Sequence, residues 1–357
     1  MVDYLIVRSA LAACSKRYDE LDGGQAAFTT LVSRARALSM PPPNSYAGMA
    51  VRNLPQGLDQ LDAVVREAKG VLAKMSSGFA QTHDLYAQTE AENLEASRRI
   101  WGSDGNDYPD RGDRNYPYGQ RPFTASSGDP AEMVGFNREL RTEIDDQKLL
   151  RAVINLSDTW SKCPPIVLTM IGMVTWMPVP DITEKMNGAF APVTQAADAY
   201  ERIGMGYRAV GASIGKDIDG LAYAWQGPAA WNAVSYLTKV NYWFGSGLGA
   251  TIGHAGSEIS RNSEALLFLV NQAISEIDDL TGILGTIITI AVALGDDQKN
   301  FWTVARAIAF PLAAFVVKHN QVAKTMQAII KIVVVVVELL AAVIPGTSTF
   351  SVPPAPK

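Results

Sequence analysis

From Tyr4 onward, apolar side chains recur at alternating intervals of three and four residues, and that spacing leaves few folds open. The series Tyr4, Val7, Leu11, Cys14, Tyr18, Leu21, Gln25, Phe28, Val32, Ala35 departs from apolar character only at Gln25, just past Gly23-Gly24. A narrow apolar seam of this period is one long α-helix that needs a partner, loosened, if anywhere, at the two glycines. Pro41-Pro42-Pro43 stops it, because proline has no N–H and pushes the preceding residue out of helical geometry. The seam resumes at Leu54, Leu58, Leu61, Val65, Ala68, Leu72, Met75, Phe79, Thr82, Tyr86, with Asp59, Arg66, Glu67 and Lys69 off it. Two long helices joined by a proline-rich turn fold back as an antiparallel hairpin over 1–101.

Residues 102–130 change character: Gly, Pro, Asp and Asn crowd together without an apolar period, as in a flexible linker. Arg111-Gly112-Asp113 lies within it, a tripeptide that chance supplies readily in such a composition. A second helical domain is expected over 131–280. It opens with a charged amphipathic helix up to Lys162, stopped by Pro164-Pro165, followed by the apolar stretch 166–180 with Met170, Met173, Trp176 and Met177. That stretch reads equally as a core helix or as a surface patch. The seam returns at Val193, Ala197, Tyr200, Gly204, Tyr207, Gly211, Ile214, Ile218, Leu221, Trp225 and meets Gly227-Pro228, a helix–turn–helix tip. The next helix is expected from about Ala229 to Leu280, with Gly245, Gly249 and Gly253 on one face permitting a close helix crossing in water or in lipid. Residues 281–345 are the most apolar, but Lys331 and Glu338 interrupt the run 329–344, which leaves a core helix and an amphipathic or pore-lining helix both open. Residues 346–357 read as a loose tail.

Composition excludes several functions. A net charge of −5 without a basic cluster gives nucleic acid no footing. Two cysteines, Cys14 and Cys163, form no CxxC, and Cys14 falls on the seam as a buried thiol. His83, His254 and His319 are too scattered for metal-ligand spacing, so no metal or organic cofactor is implied. No nucleophile elbow, phosphate loop or acid/base pair is present, and the chain reads as a non-enzyme. Asp3 and Arg8 interrupt the N-terminal apolar stretch, unlike a secretory signal peptide.

Two short motifs remain. Tyr86-Ala87-Gln88-Thr89-Glu90 places a carboxylate one helical turn past the phenol that closes a seam, and Trp225-Gln226-Gly227 sits at a helix–turn–helix tip. Each alone has a bland reading, a core tyrosine beside a solvated glutamate and a tryptophan that staples a turn. Together they resemble substrates of actinobacterial type VII (ESX) secretion, and the chain is similar to the single-chain PE/PPE-like members of the WxG helical-hairpin family. It departs from them in carrying Glu at 90 where Asp is commoner, in about fifty added residues before the WxG hairpin, and in its apolar C-terminal region.

The resemblance implies an all-α, elongated bundle of long antiparallel helical hairpins, with a PE-like hairpin packed on a PPE-like WxG hairpin. It assigns Tyr86, Glu90, Trp225 and Gly227 to an export signal, a carboxylate beside an exposed aromatic, read by the ATPase or a chaperone of the secretion machinery. It further implies export to the medium or cell surface by a signal-peptide-independent route, and self-association into a ring. Two other readings stand beside it. One is a membrane-active, pore-forming effector or toxin using 281–345; the other is a cytoplasmic helical scaffold.

Overall fold

Where the apolar seams run, the chain is helical. A computed structural model describes residues 4–101, 138–140, 145–295 and 300–348. The expected linker at 102–130, the helix start near Ala131 and the tail beyond Ser348 lie outside the described residues. All the regular elements described are helices, and no strand occurs among the described residues.

Helices α1 (Tyr4–Arg36) and α3 (Leu54–Trp101) run antiparallel and share the seam, burying Leu11, Tyr18 and Phe28 against Leu61, Leu72 and Phe79. Gly23 and Gly24 do not break α1, and Gln25 is buried with its amide donating to the Leu21 carbonyl at 3.3 Å. Between the two lies α2 (Tyr46–Ala50), a short helix that no periodicity announces. It is capped by Ser45, whose hydroxyl accepts from the Gly48 N–H.

Three shorter helices follow, α4 (Asp146–Ser161), α5 (Pro165–Val174) and α6 (Val179–Met186), each of the last two opening with proline in its first turn. The segment 166–180 combines both of its readings. Val167, Met170 and Ile171 enter the core, whereas Met173, Val174 and Trp176 face solvent. Asp146 then accepts hydrogen bonds from the N–H groups of Phe190 and Ala191, satisfying donors at the start of α7 (Ala191–Ala224).

After α7 the chain turns at Trp225-Gln226-Gly227 into α8 (Pro228–Tyr242), a π-helical stretch Trp243–Gly249, and α9 (Ala250–Ala293). This path is roughly 100 Å long at 1.5 Å per residue. The helix expected to end at Leu280 therefore continues, and the boundary expected between 280 and 281 falls inside α9. Nothing at 280 stops it, because the buried series Ile277, Leu280, Leu284, Ile287, Ala291 keeps the helical period across that point.

Helix α7 presses closely against both the π-helical stretch and the start of α9. A Cβ on Gly211 would sit 2.8 Å from the Gly245 nitrogen, and one on Gly204 would collide with the backbone of Gly253. The glycine series thus serves a crossing inside the bundle. The aromatic rings of Phe28, Tyr207 and Phe244, with successive centroids 4.7 and 5.8 Å apart, tie α1, α7 and this stretch together.

Helix α10 (Phe301–Ser348) returns along α9 and reaches α2 and α3. It carries the apolar residues 310–317 and the run 329–344 in one helix, passing through Pro311, which forgoes one ladder bond. Val333 and Val336 are buried while Lys331 and Glu338 face solvent, so the described part of the run, 329–339, covers the core on one side only. Among the described residues no single helix is long and apolar enough to cross a membrane. The pair Pro165–Val174 and Val179–Ala224, bent by 80°, passes such a test only by length and composition.

Candidate functional site at the paired hairpin tips

Tyr86 sits where α3 outruns its partner. Ser15 and Ser76 exchange hydrogen bonds across the α1–α3 hairpin, each hydroxyl donating to the other's carbonyl, at 3.0 and 2.9 Å. Extending that pairing to the start of α1 leaves Tyr86 at the last level where α1 can cover α3. Its neighbour comes instead from the second hairpin. The Trp225 Nε1–H donates to the Tyr86 hydroxyl at 2.8 Å, and the two rings meet edge-to-face with centroids 6.0 Å apart at 83°. A hydrogen bond and an aromatic contact of this kind are each worth about 1 kcal/mol.

The turn that delivers the indole has a specific conformation. Trp225 closes α7 in extended geometry with its N–H on the Leu221 carbonyl at 2.8 Å. Gly227 follows at φ 109 and ψ 179, a region almost reserved for glycine. Nothing lies within 4 Å of where a Gly227 Cβ would stand, so the requirement is conformational and not steric. Pro228 then opens α8, and the Gly227 carbonyl accepts from the Trp231 N–H at 3.0 Å.

Trp225, at the end of the α7 seam, is only 3% exposed, and Tyr86 is half-buried, so the aromatic expected to stand exposed beside Glu90 is partly covered. The indole packs between the hairpins because burying it there satisfies both its ring and its N–H. Glu90 lies one turn further along α3, with its side chain outside the described residues. A groove of about 410 Å³ opens beside the pair between α3 and α8, lined by Met75, Phe79, Leu85, Trp225 and Tyr236 with Lys74 at its edge. Leu85 and Trp231 stand exposed nearby. Of these residues, Leu85, Tyr236 and Trp231 lie off the heptad series, so only the meeting of the hairpins brings them together.

Away from the tips, a polar cluster lies buried between α1 and α7. The Arg17 guanidinium donates to the Ser213 hydroxyl at 3.0 Å, and Asp217 is buried close to Cys14 and Tyr18. Burial, and then the nearby Asp217 charge, raise the Cys14 thiol far above its ordinary range; burial pushes Cys163 up to about 11. Both cysteines are free thiols held protonated, the opposite of what a cysteine nucleophile or metal ligand needs. No group of three or more His, Cys, Asp or Glu positioned for a metal occurs among the described residues.

No protein-family model matches this chain, and no curated protein or solved structure is significantly similar to it.

Proposed function

We propose that this chain is a non-enzymatic protein exported by a type VII (ESX) machinery, and that it assembles with copies of itself after export. In this reading α1 and α3 form the PE-like hairpin, α7 to α9 the PPE-like WxG hairpin, and Tyr86, Glu90, Trp225 and Gly227 one export determinant. The observation that carries the reading is the hydrogen bond from Trp225 to Tyr86. Two motifs 139 residues apart in sequence, chosen for their resemblance to the two halves of such a signal, touch through their defining side chains.

The burial of Trp225 divides the labour among the four residues. The indole and Gly227 hold the turn, Tyr86 locks it onto α3, and the machinery reads the surface thereby presented, the α3 turns around Glu90 and the groove beside Leu85. A folded two-hairpin surface is a stricter signal than a linear motif, because an unfolded chain cannot present it. The partner is the ATPase or a chaperone of that machinery, and the destination is the medium or the cell surface.

The test is secretion from the producing cell. W225A and E90Q are each expected to abolish appearance in the medium, with E90Q leaving helicity and melting temperature unchanged. If both variants reach the medium at wild-type levels, the export reading is wrong.

A further inference from the structure

Helix α10 presents a histidine to the α5–α6 turn from inside the core. His319 is fully buried, and its Nε2 lies 2.7 Å from the Met177 carbonyl. A carbonyl only accepts, so the neutral ring carries its proton on Nε2 and leaves Nδ1 as a bare acceptor. That Nδ1 is buried with no hydrogen-bond partner among the described residues. The ring stacks on Phe315 with centroids 6.0 Å apart, which holds its plane. On the next residue, the Asn320 side-chain oxygen accepts from the Trp176 Nε1–H at 3.2 Å. Two neighbouring residues of α10 thus hold two neighbouring residues of the turn.

The arrangement suits a neutral imidazole and not a cation. Protonation adds an N–H at Nδ1, where no acceptor stands in hydrogen-bonding geometry, and a buried cation without an acceptor is strongly disfavoured. The surrounding charges offer no relief. Asp279 of α9 is taken by Lys318 at 2.8 Å and Glu276 by the Gln272 amide, while Asp278, Asp181, Glu184 and Lys324 face solvent. Helix α5 carries no ionisable side chain, Lys185 of α6 is turned to the Asn44 carbonyl, and burial keeps Tyr46 of α2 neutral. The proton affinity of His319 accordingly answers to burial first, then to the Met177 carbonyl and the Asn320 side chain, and to no charged neighbour.

Asn320 is therefore the acceptor within reach of the cation. To meet an Nδ1–H its side-chain oxygen has to swing from its present position, and at 3.2 Å the indole bond is already at the long end of its range. We propose that acid works the α5–α6 turn as a latch: protonated His319 draws Asn320 off the Trp176 indole, while the Met177 carbonyl stays bound. Met177 keeps its bond because Nε2–H donates in both charge states. Trp176, already 59% exposed, hands its N–H to water, and the exposed Met173 and Val174 one turn earlier lose the anchor beside them. The sign follows from burial, which favours the uncharged ring. The latch is closed at neutral pH and opens below the ordinary imidazole value of about 6.5.

Fluorine NMR of the full chain labelled with fluorotryptophan tests it, the Trp176 resonance being the one that W176F removes. Between about pH 8 and 5 that resonance is expected to move with a single midpoint below about 6.5, while far-UV circular dichroism stays constant. H319Q can still donate to Met177 but cannot titrate, and should hold the resonance still. N320A should place it at its acid position at every pH. The latch is overturned if the wild-type resonance does not move, if it moves equally in H319Q, or if helicity is lost over the same range, which would make the event unfolding. An N320A resonance that titrates as the wild type does removes Asn320 as the acceptor, and the partner exchange with it.

Discussion

The Trp225–Tyr86 contact is worth measuring as a pair because each residue also has independent packing. W225A should cost about 3–5 kcal/mol, as for other large aromatics removed from a buried site. Y86F removes only the hydroxyl, and should cost about 1 kcal/mol for leaving the indole N–H without its acceptor. A double-mutant cycle of Y86F with W225F in urea is expected to give a coupling near 1 kcal/mol, and strict additivity would mean that the hydrogen bond contributes nothing. His319 offers a second measurement at this scale. Burial is the larger influence and lowers its pKa, against the hydrogen bonds to Met177 and Asn320. In the unfolded chain the imidazole binds a proton near its ordinary value of about 6.5, whereas the folded chain resists it until lower pH. Its contribution to stability is therefore complete above that value and is lost as pH falls toward the folded pKa. Melting temperatures between pH 7.5 and 5 should fall more steeply for the wild type than for H319L, and parallel curves would show that His319 does not titrate differently in the two states.

Among the elements, the glycines divide sharply by what surrounds them. Gly204 faces the Gly253 backbone across the α7–α9 crossing, and a methyl there meets main chain that cannot rotate away. G204A should force the helices apart and cost about 1–3 kcal/mol or more, as overpacking does. Gly70 lies on the exposed side of α3 with nothing within 4 Å, so G70A should raise stability by about 0.5–1 kcal/mol through helix propensity alone. Chemical denaturation of the two variants checks both signs, and an unchanged G204A would show that the crossing is looser than described. Both glycines sit in helices of similar apolar period. Their opposite roles follow from the second helix each one faces, which local sequence does not contain.

For the whole molecule, the link between the first hairpin and the remainder runs through buried contacts: the Phe28–Tyr207 rings, Arg17 on Ser213, and α2 against α10. A protease site placed within 102–137 and cleaved should leave the two pieces co-eluting on size exclusion at micromolar concentration. Separation would mean that the covalent connection, and not the seam, holds the halves together. The sequence by itself determined the helices, because a repeat of three and four fixes both the conformation and the buried face, and prolines and glycines mark most of the ends. It also determined which residues could compose the tip motifs, since a Gly-Pro turn after a closing tryptophan has one physical use. It could not place the end of α9, where the apolar period continues past Leu280 without a stop signal, nor announce α2, whose cap contacts are three residues long. Only the tertiary structure decided that Trp225 is buried against Tyr86, and that α10 turns its apolar face to the core in one part and to solvent in another. Periodicity specifies that a helix face must be covered; what covers it depends on contacts between residues from dozens to well over a hundred positions apart.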